Sequence, residues 1–305
     1  MRILISGSSG FLGTAITDSL KKQNHQIARL VRPGSNSKST AADFSQDVAW
    51  DPVGGQFAAA AAEGADALIH LAGASIADGR WSDSRKKMIR TSRVDASRHL
   101  MGELAKLQNP PRIIVAASAI GFYGNRGDET LTEKSAPGNG FLPEVCVEWE
   151  TETARGAEFG ARVASLRFGI ILAAHGGALA KMVPPFKLGV GGRMGNGRQW
   201  MSWITLAEVV NIVEFALANS QLSGPVNAVS PNPVQNSEFT EALAKTLHRP
   251  ALFPAPPFAL RLALGEMADA LLLSSQRVMP SKLTGASYRF QQPDLAPALA
   301  DVLRK

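Results

Sequence analysis

The sequence begins with a short apolar run that leads into a glycine-rich turn and then into a helical pattern. Residues 3–5 are Ile-Leu-Ile, and the segment 5–14 reads ISGSSGFLGT, with glycines at Gly7, Gly10 and Gly13. Glycines at this spacing permit a tight turn, a close approach of the main chain to a ligand, and close packing of the new helix on the strand. A helix that begins in such a turn presents free N–H groups and the positive end of its dipole. The segment therefore predicts a strand–turn–helix unit that binds the pyrophosphate of a dinucleotide.

The following residues alternate β-rich runs with helical stretches. Strands are predicted at 25–33, 47–52, 66–73, 112–119 and 161–172, and helices at 14–23, 83–107 and 142–159. Strands that alternate with helices of this length imply a parallel, doubly wound α/β sheet with right-handed crossovers, a Rossmann-type fold.

A change of texture near residue 176, where glycine and proline become frequent, predicts a second and less regular unit. We expect residues 1–172 to form a dinucleotide-binding Rossmann domain, with segments at about 200–230 returning to it. Residues 173–305 then form a smaller substrate-side lobe at the C-terminal end of the chain.

Composition and charge exclude several classes of function. The chain has 305 residues, of which 45% are hydrophobic, yet no uncharged apolar run is long enough to span a bilayer. No secretory signal is recognisable, so we expect a cytoplasmic protein. The single cysteine, Cys146, excludes an internal disulfide, and no histidine or cysteine spacing predicts a metal site. The net charge of +6 is scattered, which favours an anionic small molecule over nucleic acid as the ligand.

The end of the second predicted strand indicates which dinucleotide binds. An acidic residue there would bond a free ribose 2′-hydroxyl, whereas a basic residue suits a 2′-phosphate. No Asp or Glu lies between residues 25 and 42, while Arg29, Arg32 and Lys38 all do. Arg32 ends the strand, and its planar guanidinium is a suitable phosphate donor, although a solvated surface arginine is the alternative. We therefore predict NADP rather than NAD.

Several motifs together resemble the extended short-chain dehydrogenase/reductases of the NAD-dependent epimerase/dehydratase type. The motifs that carry this resemblance are GSSGFLG, DALIHLAG, SAIGFYG and GNGRQWMSWI. Longer stretches resemble one subgroup, the cell-division-inhibitor-like epimerases, which end in a domain of unknown function, here about residues 249–297. These stretches are RWSDSRKKMIRTSRV, FLPEVCVEWE, GGALAKMVPPFKLGVGGRMGNGRQWMSWI and PAPPFALRLALGEMA.

The resemblance implies a set of binding residues. For the cofactor these are Gly7, Gly10, Phe11, Leu12, Gly13, Arg32, Leu71, Ala72, Gly73, Arg93 and Ile171. Arg93 is equally compatible with a structural role in its helix. The polar and aromatic residues expected on the substrate side of the second lobe are Arg193, Asn196, Arg198, Gln199, Trp200 and Trp203.

The proton-transferring residues of this superfamily are missing. Its members use a tyrosine with a lysine four residues later, but the tyrosines here, Tyr123 and Tyr288, are followed at that distance by glycine and glutamine. The resemblance places the missing pair at about Val145 and Trp149. The remaining candidates for catalysis are Ser118 and Tyr123. Glu144 is a further candidate base, with a solvated helix face as the alternative interpretation, and Cys146 is interpreted as a packing residue.

Two functions follow from these observations. The first is an NADP(H)-dependent oxidoreductase or epimerase-like enzyme that acts on a small polar molecule, nucleotide-sugar-like compounds included. The second is a catalytically weak NADP(H)-binding protein that senses the cofactor or docks to a partner. The polar, aromatic second lobe favours the enzyme, whereas the missing tyrosine–lysine pair favours the sensor. In either case we expect a monomer or homodimer that needs neither nucleic acid nor a membrane.

Overall fold

The structure, a computed structural model, describes residues 1–34 and 46–304. Its strands are β1 Arg2–Ser6, β2 Gln26–Val31, β3 Gln46–Ala49, β4 Ala67–His70, β5 Ile113–Ala119, β6 Thr130–Leu131, β7 Arg162–Phe168, β8 Ile170–Leu172, β9 Trp200–Met201, β10 Trp203–Thr205, β11 Gly224–Ala228, β12 Val234–Gln235 and β13 Arg277–Val278. Its α-helices are α1 Phe11–Lys22, α2 Ala59–Ala62, α3 Asp83–Thr91, α4 Val94–Leu104, α5 Phe141–Ala154, α6 Gly177–Lys187, α7 Leu206–Ala218, α8 Asn236–Leu247, α9 Pro257–Leu264, α10 Ser281–Gly285 and α11 Leu295–Arg304.

The central sheet has seven strands in the order β11-β7-β5-β4-β1-β2-β3, and all of its pairs are parallel. The chain moves outward from β1 through β2 to β3, returns to β4 on the other side of β1, and continues outward to β11. The direction of winding therefore reverses between β1 and β4, and ligands of such sheets bind at that point, beyond the carboxyl ends of the strands. The predicted Rossmann-type fold is confirmed.

Both faces of the sheet are covered, because successive strand residues point to opposite sides. In β1, Ile3 and Ile5 pack with α1 and α7, while Leu4 packs with α4 on the other face. All three side chains are fully buried, and burying each contributes about 1.5–3 kcal/mol of hydrophobic stabilisation. Doubly covered parallel strands read as continuous apolar runs, which is the pattern seen in the sequence.

A second core lies beyond the sheet, where α6, α8 and α11 enclose Leu172, Trp203 and Phe239. Two short strand pairs, β8 with β10 and β9 with β12, border this region, while the pair of β6 with β13 packs in a separate cluster with Tyr123. In the sequence, α7 and β11 lie between β10 and β12, but α7 packs on the main sheet and β11 joins it. The two parts of the chain are therefore interleaved.

Two predicted elements are divided in the structure. The helix predicted over 83–107 is interrupted at Ser92 and Arg93, and the strand predicted over 161–172 is interrupted at Gly169. A Cβ atom on Gly169 would lie 2.5 Å from the carbonyl oxygen of Ser202, so the chain needs glycine where it leaves the main sheet to pair with β10. No helix within the described residues is long and apolar enough to cross a membrane.

Candidate functional site

The glycine-rich turn is packed as its sequence predicts. Gly7 has a φ of +71°, and a Cβ atom there would lie 3.0 Å from the carbonyl carbon of Leu71. A Cβ atom on Gly13 would lie 2.1 Å from the carbonyl oxygen of Gly7, so α1 can start here only without a side chain. Gly10 is the N-cap of α1, and no side chain within the described residues caps that end. The first N–H groups of α1 therefore lack side-chain partners.

A buried histidine holds the loop that follows β4 against β1. The Oγ of Ser6 accepts hydrogen bonds from the backbone N–H groups of Leu71, at 3.1 Å, and Ala72, at 3.2 Å. The same Oγ lies 2.6 Å from Nδ1 of His70, whose Nε2 lies 2.9 Å from the Oγ of Ser97. Burial lowers the pKa of His70 to about 4, so the imidazole is neutral at ordinary pH and has a positioning role.

Phe11 connects the glycine turn to the end of β8. The Phe11 ring packs directly against Gly176, because a Cβ atom on that residue would lie only 2.6 Å from ring Cδ2. A Cβ atom on Gly177 would lie 3.1 Å from the carbonyl oxygen of Ile171. The strand ends of β1, β4 and β8 thus meet, and we call Gly7, Phe11, Leu71, Gly73 and Ile171 the carboxyl-edge cluster.

Arg93 borders this cluster beside Gly73. A Cβ atom on Gly73 would lie 3.2 Å from Cζ of Arg93, and that Cζ is 5.2 Å from the centre of the Trp149 ring. Its Nη1 donates to the carbonyl of Ile89 at 3.1 Å. The structure therefore brings Arg93 to the same strand edge as the glycine turn.

Arg32 lies at the other end of this edge and is exposed at the end of β2. Of the two basic residues considered with it, Arg29 is buried and ion-paired with Asp47, and Lys38 lies outside the described residues. Arg32 lies near Asp51, whose pKa is lowered first by backbone hydrogen bonds of its own turn and to a smaller extent by Arg32. Among Arg29 and Arg32, only Arg32 presents an exposed guanidinium.

Ser118 and Tyr123 belong to a buried polar network between β5, α5, β7 and β11. Ser118 donates to Oε1 of Glu150 at 2.6 Å, and Arg167 donates to both carboxylate oxygens, at 2.8 and 2.7 Å. Arg167 Nη1 also donates to the Tyr123 hydroxyl at 2.9 Å, and that hydroxyl lies 2.7 Å from Oδ1 of Asn227. Ser118 is 3% exposed and Tyr123 0% exposed. Both hydroxyls thus have partners inside the protein.

Burial raises the pKa of the Tyr123 hydroxyl, although the charge and the hydrogen bond of Arg167 act in the opposite direction. The phenol therefore stays protonated at neutral pH. The Arg167 guanidinium is stacked on the Phe122 ring, with Cζ 3.4 Å from the ring centre. Together these contacts form a network that holds β5, β7 and β11 together near their ends.

The positions expected for the missing pair hold apolar side chains. Val145 and Trp149 are 1% and 5% exposed. Between them, Cys146 is buried with Sγ 3.8 Å from the Ala119 carbonyl, and burial raises the pKa of its thiol to about 12. The Glu144 carboxylate is exposed and lies 3.6 Å from Arg90.

The residues expected on the substrate side are spread over different environments. Trp203 is fully buried in the second core, and its indole N–H donates to the Asn232 carbonyl, so it presents no surface to a ligand. Gln199 is also buried and donates to the carbonyls of Met194 and Leu272.

The members of that set that are at least partly exposed lie in different places. Trp200 is half-buried, donates to Asp128 at 2.8 Å, and is stacked with Arg277. Arg193 lines a groove of about 630 Å³ beside α8, together with Lys245 and Arg249.

Asn196 and Arg198 are exposed, and Asn196 Oδ1 accepts the backbone N–H of Arg198 at 2.9 Å. No residue of the carboxyl-edge cluster lines the α8 groove.

Sequence reasoning missed Glu150, Arg167 and Asn227 as a connected group. Arg167 carried a signal, since it is a charged residue within the apolar run of β7 and is only 2% exposed. A buried charge requires a partner, but which residue serves as that partner depends on how α5 packs over β7. Among the described residues no group of three or more His, Cys, Asp or Glu side chains is placed to hold a metal ion.

Comparison with family models gives two matches. Residues 3–229 match the NAD dependent epimerase/dehydratase family, and residues 255–302 match a domain of unknown function, DUF1731.

Individual relatives match over the whole chain. Epimerase family protein Mb2239 of Mycobacterium bovis is 40% identical over 97% of this chain and 96% of its own length. The crystal structure of human epimerase family protein SDR39U1 (isoform 2) with NADPH is 27% identical, covers 100% of both chains and superposes with a TM-score of 0.88. The nucleoside-diphosphate sugar epimerase from Corynebacterium glutamicum is 36% identical over 99% of this chain and 58% of its own, with a TM-score of 0.79.

Proposed function

The chain belongs to the NAD dependent epimerase/dehydratase family, and from that premise we propose that it is an NADP(H)-dependent oxidoreductase or epimerase-like enzyme. Its substrate in this proposal is a small polar molecule. The protein acts as a monomer or homodimer in the cytoplasm, without nucleic acid or a membrane as partner.

The uncapped N-terminus of α1 is the observation that carries the cofactor assignment. Gly10 has extended backbone angles, and of the described atoms a Cβ atom there would come within 4 Å only of the Gly7 carbonyl oxygen, at 3.2 Å. Free space beside Gly10 and N–H groups without side-chain partners at the N-terminus of a helix are suited to a pyrophosphate. Arg32 at the end of β2 suits a 2′-phosphate, and a human relative of the same fold was crystallised with NADPH.

The residues of the carboxyl-edge cluster would hold this cofactor, with the glycine turn at the phosphates and Ile171 at the nicotinamide end. A bound nicotinamide supplies or accepts a hydride. Gly7 and Gly13 keep the turn compact, and His70 fixes the loop after β4 through Ser6.

Proton transfer in this site differs from that of the wider family. Val145 and Trp149 have no side-chain group that exchanges a proton at a reacting alcohol. The Ser118 and Tyr123 hydroxyls bond to Glu150 and Asn227, and the Tyr123 phenol stays protonated. We therefore propose that the proton comes from the substrate itself or from water, and that Ser118 and Tyr123 position the strand ends. Ordinary sugar-nucleotide epimerisation should then be undetectable, because general acid–base transfer alone contributes about 10²–10⁴-fold in rate.

A second candidate function is an NADP(H)-binding sensor. The complete burial of Tyr123 and the apolar side chains at Val145 and Trp149 favour it, since they leave no residue dedicated to proton transfer. A sensor needs cofactor binding but no turnover.

The test is deuterium transfer from NADPH labelled at C4, prepared as both stereoisomers, to a panel of small carbonyl compounds and sugar nucleotides. We expect label in at least one carbonyl product, and none when Gly10→Val removes cofactor binding. Gly102→Ala is the matched control, because a Cβ atom at Gly102 meets nothing within 4 Å.

Two results would each contradict one part of this proposal. Robust sugar-nucleotide epimerisation by the wild type would refute the proton-transfer argument, because Val145 and Trp149 have no group that relays the proton. Intact NADPH binding without transfer to any compound would favour the sensor.

A further inference from the structure

A half-buried guanidinium without a carboxylate partner borders the carboxyl-edge cluster. Arg93 uses only Nη1 for hydrogen bonds, to the Ile89 carbonyl at 3.1 Å and the Ser92 Oγ at 3.5 Å. Within residues 1–34 and 46–304, its Nε and Nη2 have no hydrogen-bond acceptor and no carboxylate lies within 4 Å of it. The side chain packs against Gly73 and the Trp149 ring.

Two nearby cations of α3 have carboxylate partners. Lys86 pairs with Glu266, and Arg90 pairs with Glu148 at 2.7 Å. Burial lowers the pKa of the Arg93 guanidinium, and the nearby Arg85 charge acts in the same direction. A half-buried guanidinium with free N–H groups and no carboxylate partner can accept an anionic ligand.

Arg85 lies on the other side of the same loop. Its Nη2 donates to the Ser75 carbonyl, and its Nε is buried without an acceptor in the described part of the chain. Asp78, the carboxylate within reach, is 3.9 Å away and mostly exposed. The Ser92 Oγ accepts the N–H of Ala74 at 3.0 Å, so the loop that contacts both arginines, residues 73–75, is held against the start of α4.

We propose that Arg93 and Arg85 form an anion subsite that holds a carboxylate or phosphate group of the substrate beside the carboxyl-edge cluster. The inference rests on the proposed function and narrows its substrate class to anionic carbonyl compounds or alcohols. A guanidinium presents two parallel N–H groups that match such oxyanions.

The position of Arg93 favours a substrate group over a cofactor phosphate. The N-terminus of α1 already offers N–H groups for the cofactor phosphates, at the end of β1. Arg93 instead lies beside Gly73, in the loop after β4, and contacts α5 through Trp149. That side of the edge adjoins β5 and the positions where the family resemblance places the proton-transferring pair.

The experiment titrates two probes, malonate and inorganic phosphate, into the NADPH-saturated protein by calorimetry. It compares the wild type with Arg93→Gln, Arg85→Gln and Arg93→Lys. Lys87→Gln is the control, because it removes one exposed charge from the same helix. We expect each glutamine variant to weaken binding of at least one probe by roughly tenfold or more, since a hydrogen bond to a charged group is lost. Arg93→Lys should recover part of the affinity, and Lys87→Gln should change it by less than about twofold.

NADPH affinity is measured separately for every variant and should stay within about twofold of the wild type. If Arg93→Gln weakens NADPH roughly tenfold and neither probe binds the loaded protein, the subsite belongs to a cofactor phosphate and the proposal is wrong. Equal probe affinities in wild type and both glutamine variants also overturn it. If the wild type does not bind NADPH, the proposed function fails, and titration of the unliganded protein still tests the arginine pair by the same comparison.

Discussion

The three glycines of the N-terminal turn should respond differently to substitution, although they belong to one motif. Gly10 has φ −78° and ψ 171°, angles that any residue adopts, and its Cβ would meet one carbonyl oxygen at 3.2 Å. We expect Gly10→Val to leave the melting temperature within about 3 °C of the wild type. The valine would cover the first N–H groups of α1, however. Losing two hydrogen bonds to a charged pyrophosphate costs about 3 kcal/mol or more, so NADPH affinity should fall by at least about a hundredfold.

Gly13→Ala should instead destabilise the fold. Its Cβ would lie 2.1 Å from the Gly7 oxygen and 2.7 Å from the Ser8 Cα, and both are backbone atoms that cannot rotate away. Overpacking of this kind costs about 3 kcal/mol, which corresponds to a fall of about 5 °C or more in melting temperature. Circular dichroism melts and calorimetric NADPH titrations measure both effects, with Gly102→Ala as the neutral control. NADPH binding within fivefold of wild type in Gly10→Val, or a wild-type melt for Gly13→Ala, would refute the reasoning.

Other consequences concern buried groups. Because burial raises the pKa of the Cys146 thiol to about 12, we expect it to react with an aromatic disulfide reagent at pH 8 only after unfolding; rapid stoichiometric reaction of the native protein would contradict this. The folded-state pKa of His70, about 4, is below its unfolded value of 6.5, so the unfolded chain binds the proton first and stability falls as pH drops from 6.5 to 4. This loss, about 3 kcal/mol, should be measurable by urea unfolding and should largely disappear in His70→Gln; an equal pH dependence in that variant would exclude His70 as its source. Tyr123→Phe should lower the free energy of unfolding by about 1–3 kcal/mol, because Arg167 loses a buried acceptor, while NADPH affinity stays within about twofold; a tenfold loss of affinity would place Tyr123 in the binding site instead.

Much of the fold was predictable because local signals and the global topology agree. The glycine turn, the apolar runs of β1 and β4 and the helix spacing each indicate a parallel sheet on their own. Their boundaries differ from the structure by a few residues, since helix and strand ends depend on caps and on pairing partners.

The two divided elements show that local sequence patterns do not predict where a helix or strand is interrupted by distant residues. The helix predicted over 83–107 has apolar spacing throughout, yet Ser92 turns its hydroxyl to the N–H of Ala74 on a loop 18 residues earlier. Likewise, 161–172 is a β-rich run, and it divides at Gly169, where Ser202 and Val229 approach the backbone closely. Contacts between distant parts of the chain decide both breaks.

The positions of site residues could be predicted where they depend on backbone geometry. They were harder to predict where they depend on how side chains pack. The cofactor residues taken from the glycine turn and the end of β4 lie together because strand order brings these ends together. Trp203 looked like a pocket residue in a polar, glycine-rich segment, but packing on Phe239 and Leu172 buries it completely. The pairing of Ser118 and Arg167 with Glu150 depended on the orientation of α5 over the sheet, which residue spacing does not specify.

Calorimetric titration with NADPH and NADH, repeated in Arg32→Ala, tests the central claim most directly. A charge-assisted hydrogen bond to the 2′-phosphate contributes about 1.5–3 kcal/mol, so the wild type should bind NADPH at least about tenfold more tightly than NADH. In Arg32→Ala the NADPH affinity should fall toward that of NADH, and the NADH affinity should not change. Equal affinities in the wild type, or an unchanged ratio in Arg32→Ala, would contradict the assignment of this strand edge as an NADP(H) site.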